Sequence, residues 1–588
     1  MFFDIVMSLP HSQAVRLWTL TPARVSSNLT GAAICKISTF VLFLLLFGIK
    51  KNIIKIEVFM KKNLFGISMI TITCLYGILA GVVILVTLVA GGNVLYAILG
   101  SLIVLLIQFL ISPWLTDLSM RWFYKAKFDE EIPEYLKVFI EEECAKHNVK
   151  YPKIGFIDDG APNAFTYGRT KRDARIVITR GIFELLKEEE VKAVVGHEMG
   201  HIVHMDMLVM TAVQIVPLVL YAIYEIFINS SNDNSDSGNA QWVGWIAYVL
   251  YIICQYIILW LSRTREYYAD RFSCEETKNP NALAEALVKI GFGLSTNTPT
   301  GKHNVSKNNA LGIFDVKAGK ALSVAAMDEN GGVSKDRIKN AMKWEMWNPW
   351  AKWFEINSTH PLISKRINAI SAISSEFGQS PYIVFDLVKT ESYVDDFLIE
   401  VAICFVPYLF FIPAVILFIL ALDDKKDLFM FSGILGILAA IFFIIKYQRA
   451  HRDGYNSRTV ADLLGEVKVS QVTSIPCELK GTIIGRGNPG CIFSEDFVIK
   501  DSTGIIFLDY NQPLNIINKI FALFKAKEYF DKEVVVKGWF RRNPVPYVEI
   551  KEYTVDGRTK KIHTYMIGLV LRALLAVASV GIIIFGMM

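Results

Sequence analysis

Glu188-Glu189-Glu190-Val191-Lys192-Ala193-Val194-Val195-Gly196-His197-Glu198-Met199-Gly200-His201-Ile202-Val203-His204 is the stretch from which the rest of this sequence is read. Its first turn is acidic, which suits the positive end of a helix dipole, so the segment predicts a helix. His197 and His201 stand four residues apart, and on a helix such residues share one face about 6 Å apart. Two imidazoles so placed can meet one tetrahedral divalent ion. Glu198 stands beside the first of them and can reach a water on that ion as general base. The bland alternative is a pair of surface histidines on an amphipathic helix.

A second stretch, Glu266-Tyr267-Tyr268-Ala269-Asp270, bears on that choice. A catalytic zinc takes a third protein ligand and keeps one position open. Glu266 can supply the ligand, and Asp270, one turn later, can hydrogen-bond a ligating histidine. Alone, a Glu and an Asp four apart describe a solvated helix face equally well. Their position relative to the apolar runs argues for a ligand. His201 lies about 9 Å of helix before one such run, and Glu266 about 7.5 Å after the next. Both groups therefore approach the same membrane face. His204 is not expected to be a ligand, since it follows His201 by three residues and adds nothing a tetrahedral site needs.

The 588 residues are 53% hydrophobic, more apolar than a soluble protein usually is. A net charge of +5 gives no clustered basic face, so no nucleic-acid partner is expected. The eight cysteines include no CxxC pair, which argues against a cysteine zinc site, and Cys74, Cys254 and Cys404 lie inside apolar runs, which argues against a disulfide framework. Seven runs are long enough to span a bilayer: 64–90, 94–114, 207–229, 242–261, 399–421, 429–445 and 565–587. A shorter run at 34–49 is an eighth candidate. Residues 1–59 read as an uncertain N-terminal extension, because Met60-Lys61-Lys62 before the first long run looks like a natural start. Lys50, Lys51, Lys61 and Lys62 flank that run, and Lys446, Arg449, Lys560 and Lys561 flank later ones. By the positive-inside rule, 115–206, 262–398 and 446–564 fall together on the cytoplasmic side of a cell membrane.

Five motifs stand together in this chain: Pro162-Asn163-Ala164-Phe165, Ile176-Val177-Ile178-Thr179 with Gly181, Val195 to His201, Glu266 to Asp270, and Ser358-Thr359-His360-Pro361 through Arg366. Together they resemble the M48 family of membrane zinc metallopeptidases, and within it the HtpX-like heat-shock proteases. The resemblance covers roughly 60–370. It implies a gluzincin-like α+β protease domain with one Zn2+ per subunit, held by His197, His201 and Glu266, with Glu198 as base. It implies His360 and Arg366 near the substrate, where they stabilise the oxyanion. It also implies Asn163 and Ala164 on an edge strand, where a substrate backbone can pair. An ordinary hairpin residue at 163 and a helix-capping role for His360 remain open. Protein substrates, membrane or misfolded, would be the partners, and quality control under stress the function. A processing protease of the CAAX type and a non-catalytic membrane scaffold are the alternatives; oligomeric state is left undetermined.

Beyond the resemblance lie a two-span hairpin at 399–446 and a region, 447–564, of strand-like runs with a helix-like segment at 514–530. Five strands with such an insert resemble a small OB-like barrel, expected to handle protein rather than oligonucleotide. Residues 293–343 are expected to form a loop or lid. Trp344, Trp347, Trp350 and Trp353 suit either core packing or a membrane interface. The fold class expected is thus a mainly α-helical polytopic membrane protein with a cytoplasmic α+β zinc protease domain and a C-terminal OB-like β-domain.

Overall fold

The computed structural model describes residues 64–90, 92–160, 162–229, 241–293, 335–384, 389, 391–422, 427–487, 495–543 and 545–587. Residues 1–59, the candidate anchor at 34–49 and most of the expected lid lie outside them. The remainder of that lid is not a loop: Lys335–Trp347 is a helix. Its apolar residues Ile338, Ala341, Met342 and Trp344 recur at helical spacing and are buried.

Among the described residues six helices are long and apolar enough to cross a membrane. They are α1 (Leu64–Ala90), α6 (Asp206–Asn229), α7 (Gln241–Thr277), α12 (Val394–Ala421), α13 (Asp427–Ala450) and α16 (Thr564–Met587). The expected span at 94–114 falls within helix α2 (Gly92–Phe123), where many side chains are outside the described set. α1, α6 and α7 share one apolar core through Leu75, Val86, Val216, Leu220, Ala247 and Cys254. In a second group, Gly433 of α13 meets α16 so closely that a Cβ would sit 2.7 Å from the Ser579 carbonyl. Small residues allow such approach where no water drives helices together.

The segments between the spans pack with one another. Strands β1 (Lys153–Ile157), β2 (Ala164–Gly168) and β3 (Ala174–Thr179) form a sheet in the order β1-β3-β2. β1 runs parallel to β3 and β2 antiparallel to it. Ile154, Phe156, Ile176 and Ile178 bury one face against α3 (Glu134–His147), through Leu136 and Ile140, and against α5 (Glu188–Val203), through Val191, Val194 and Val195. Helix α4 (Arg180–Leu185) links β3 to α5. After α7 come α8 (Pro280–Gly293), α9 (Lys335–Trp347), α10 (Pro349–Ile356) and α11 (Ile363–Glu376). α8 and α11 complete the same core.

The C-terminal domain begins with β4 (Asn456–Ser457) and helix α14 (Val460–Gly465). β5 (Ile475–Arg486), β6 (Phe497–Lys500), β7 (Ile505–Asp509), β8 (Glu533–Asn543) and β9 (Val545–Val555) follow. β5 pairs with β6, β6 with β7, β7 with β9, β9 with β8, and β8 with β5 again. The five strands close into a ring, with only β7 and β9 parallel. Helix α15 (Asn515–Phe524) and a 3-10 turn at Ala526–Tyr529 lie between β7 and β8, where the sequence indicates a helix. A short strand β10 (Arg558–Lys561) extends β9 toward α16.

Trp344 and Trp350 are buried and serve as packing. Trp344 Nε1 donates to the Val469 carbonyl at 2.8 Å, and Trp350 Nε1 to Glu400 of α12 at 2.6 Å. Arg542 of β8 is fully buried over the Trp344 ring, 4.7 Å from its centroid. The joint therefore fastens the C-terminal domain and α12 to the segment between α7 and α12.

Candidate active site

α5 and α7 meet along a face made of small residues. A Cβ on Gly200 would lie 3.1 Å from Ala269 Cα and 3.2 Å from Phe272 Cβ. The Ser273 hydroxyl donates to the Ala193 carbonyl at 2.6 Å across the same seam. This close approach brings Glu266 of α7 to the histidines of α5. His197 Nε2 and His201 Nε2 lie 3.2 Å apart. Glu266 Oε2 is 3.6 Å from His197 Nε2, and Oε1 is 3.6 Å from His201 Nε2.

Those spacings fit a zinc ion. With bonds of about 2.0–2.2 Å, the donor atoms of a tetrahedral site stand roughly 3.3–3.6 Å apart. Glu266 Oε2 is buried with no hydrogen-bond partner, the state of an oxygen whose partner is a metal. Burial pushes His201 down, but its hydrogen bond to Asp206 and the charges of Glu266, Asp206 and Glu198 overcome it and raise it to about 9. A pocket this rich in negative charge favours a dication.

Each imidazole is oriented from behind by a carboxylate, and each carboxylate by an arginine. His197 Nδ1 stands 3.0 Å from Asp270 Oδ1. Asp270 receives Arg366 Nε at 2.8 Å and Nη2 at 2.6 Å. His201 Nδ1 donates to Asp206 Oδ2 at 2.6 Å. Asp206 in turn receives Arg265 Nε at 2.6 Å, while Arg265 Nη1 donates to Ser68 of α1 at 2.6 Å. His201 is thereby tied to the first described membrane helix. Such outer partners fix the tautomer and raise ligand basicity.

Asp206 and Arg265 escape a reading of the sequence because the α5 helix was expected to run on into the next span. Instead Met205 adopts φ 54°, a left-handed conformation, and α5 ends. The break turns Asp206, first residue of α6, back toward His201. The signal that could have exposed it is a carboxylate five residues beyond the second histidine, next to a helix start.

The other expected site residues are placed as follows. The Glu198 side chain is buried, and its backbone carbonyl accepts from Thr166 of β2 at 3.4 Å. β2 is an edge of its sheet, and Asn163 just before it exchanges hydrogen bonds with Thr179: its N–H donates to Oγ1 at 2.7 Å, and its carbonyl accepts from Thr179 N at 2.9 Å. Ala164, the first residue of β2, is buried. His360 Nε2 lies 3.5 Å from Glu266 Oε1, on the turn between α10 and α11. That turn is gripped by Arg263 of α7, whose Nη1 donates to the Glu355, Ile356 and Ser358 carbonyls at 2.9, 3.1 and 2.7 Å. Arg263 is a further residue the sequence does not single out.

Arg366 is fully buried, paired with Asp270 and 3.6 Å from Glu266 Oε2. The arginine fork matches a carboxylate better than it matches open solvent. His204 packs edge-on against Tyr268 and Phe272 and lies outside the donor group. A second His–carboxylate group, Glu143, His147 and Glu276, joins α3 to the end of α7, and Lys146 also pairs with Glu276.

Two imidazoles and a carboxylate around one point, with a glutamate beside the first imidazole and six membrane-length helices among the described residues, fit a membrane metalloprotease. The family model "Peptidase family M48" matches residues 131–374. "Protease HtpX homolog" of Methanothermobacter thermautotrophicus is 41% identical over 223 residues, 38% of this chain and 83% of the relative. The HtpX homologues of Aeropyrum pernix and Picrophilus torridus are each 27% identical, over 47% and 54% of this chain and 86% and 100% of theirs. The chain belongs to peptidase family M48, as an HtpX-like protease.

Proposed function

We propose that this protein is a zinc-dependent endopeptidase that cleaves membrane or misfolded proteins at the cytoplasmic face of a cell membrane. The observation that carries the reading is the convergence of His197, His201 and Glu266, from two helices 65 residues apart at their nearest ligands, onto one 3.2–3.6 Å triangle. A zinc ion held there would polarise the scissile carbonyl and acidify a water. Glu198 takes the proton of the attacking water and delivers it to the leaving amine. His360, held beside Glu266 by its Arg263-gripped turn, donates a hydrogen bond to the developing oxyanion. Arg366 positions Asp270 and thereby His197.

Substrate binds as an added strand on the β2 edge, where Ala164 pairs with its backbone and Asn163, whose own main chain is bonded to Thr179, fixes the start of that edge. The lysines and arginines beside the spans support a cytoplasmic orientation. The ring order and the helix between its third and fourth strands support an OB-like reading of the C-terminal domain, acting on protein and not on nucleic acid. The test is zinc content per chain and casein cleavage before and after Glu198→Gln. One zinc per chain in both, with cleavage lost only in the variant, is expected. Stoichiometric zinc without cleavage under any condition would instead mark a scaffold. Trapping by Glu198→Gln in membranes then separates a broad set of damaged substrates from a single processed one.

A further inference from the structure

Helix α15 has two faces, and the wrong one looks outward for a domain in water. Asn518, Phe521 and Ala522 face the barrel. Phe521 stacks on Tyr510 with ring centroids 4.1 Å apart, and the Asn518 amide oxygen accepts from Gln512 N at 2.8 Å. On the opposite side stand Ile516, Ile517, Ile520, Leu523 and Phe524, all exposed, Ile516 by 65% and Phe524 by 75%. At 100° per residue these five occupy one arc of about 120°. Leu514, just before the helix, continues the stripe at 59% exposure. Exposed lysines flank it at 519, 525 and 527.

The position of the helix says what covers that stripe. The segment entering α15 is hydrogen-bonded to the residues where α16 begins. The Thr564 hydroxyl donates to the Asn511 carbonyl, and His563 N–H donates to Gln512 Oε1 at 3.3 Å. Gln512 Nε2 donates to the Lys561 carbonyl at 3.5 Å. α15 therefore starts at the level where α16 enters the bilayer, an inference that rests on α16 being a span. Lysines at the edges of an apolar stripe can bury their stems and hold their charge among headgroup phosphates.

We propose that α15 lies in the surface of the membrane that α16 spans, with Ile516, Ile517, Ile520, Leu523 and Phe524 inserted at the headgroup–acyl boundary. The C-terminal barrel is thus held to the bilayer by α15 as well as by the spans α13 and α16 on either side of it in the chain. Through the joint at Trp344 and Arg542, the same contact holds the segment between α7 and α12 at a set height above the lipid.

The experiment uses the full-length chain in phosphatidylcholine–phosphatidylglycerol vesicles. A fluorescent amino acid is installed by codon suppression at Ile520 and, separately, at Phe524, both exposed positions outside the barrel core. Quenching is compared between lipids bearing a nitroxide near the top of the acyl chain and dissolved iodide. Quenching several-fold stronger by the lipid nitroxide at both positions is expected. Strong iodide quenching with little from the lipid would put the helix in water and overturn the proposal. Weak quenching by both would mean that protein, a second copy or another partner, covers the stripe, and would overturn it equally. Neither result depends on zinc or cleavage, so failure here leaves the protease reading standing.

Discussion

Arg366 holds Asp270 through two parallel hydrogen bonds, 2.8 and 2.6 Å, across 96 residues of sequence. The same guanidinium lies 3.6 Å from the ligand Glu266. One arginine thus sets both the carboxylate behind His197 and the carboxylate proposed as the third zinc ligand. Both charges are buried, and removing one partner of such a pair typically costs about 3–5 kcal/mol. Arg366→Ala is expected to lower thermal stability and weaken zinc retention about 10–100-fold. Dialysis against a graded chelator measures the second effect. Added zinc should restore part of the cleavage. An Arg366 acting directly on substrate would lose cleavage with zinc affinity unchanged.

Asp206 makes the same argument on the other imidazole. Asp206→Asn keeps the shape but can no longer accept a charge-assisted hydrogen bond from His201 Nδ1. Zinc affinity is expected to fall about 10–100-fold, with the fold intact by circular dichroism. Unchanged affinity would mean that Asp206 serves only Arg265.

The seam between α5 and α7 has no room at Gly200. In Gly200→Ala the new methyl would meet Ala269 and Phe272 at 3.1–3.2 Å, so the helices must part by a few tenths of an ångström. Overpacking of this kind costs about 1–3 kcal/mol. Because Glu266 and the histidines sit on opposite sides of the seam, zinc affinity should fall with it. Gly200→Val should be worse, and a Gly200→Ala chain that binds zinc normally would show that the seam yields elsewhere.

Glu143 gives a pH signature. Burial raises its carboxyl to about 7, and the charge of Glu276 adds to this against the opposing pull of Lys146. A group whose folded pKa lies above its ordinary 4.5 favours the fold while protonated. That contribution is present below pH 4.5 and is lost as pH rises through about 7. Glu143→Gln removes the titration while keeping a polar group beside His147. Its Tm should exceed that of the parent at pH 8, with the gap closing toward pH 5. A gap independent of pH would show that the Glu143 charge is not what burial opposes.

Much of the site is legible in the sequence. The four-residue spacing of His197 and His201 follows from the helix repeat alone, and Glu198 comes with it. Glu266 was legible only because apolar runs on either side pinned two segments to one membrane face. What stayed hidden has no local period. The motif around Arg366 says which residue is present and not which way it points, so its pairing with Asp270 is visible only in the fold. Asp206 and Arg265 were missed because the left-handed Met205 ends a helix that composition alone would continue. Residues 335–343, within the stretch expected as loop, are helical because Trp344 and the adjoining Asn348 pack on the C-terminal domain, contacts 119 or more residues away in sequence.

Local rules of this chain thus determined the membrane-length helices, the acidic start of α5, the paired imidazoles and the strand runs of the ring, since each depends on residues within a turn or two of one another. Tertiary structure alone decided which carboxylate backs which histidine, how near α7 comes to α5, that the ring closes between β5 and β8, and which side of α15 is left bare. Those outcomes depend on the packing of segments far apart in the chain, where shape and burial select among partners that a linear sequence offers equally.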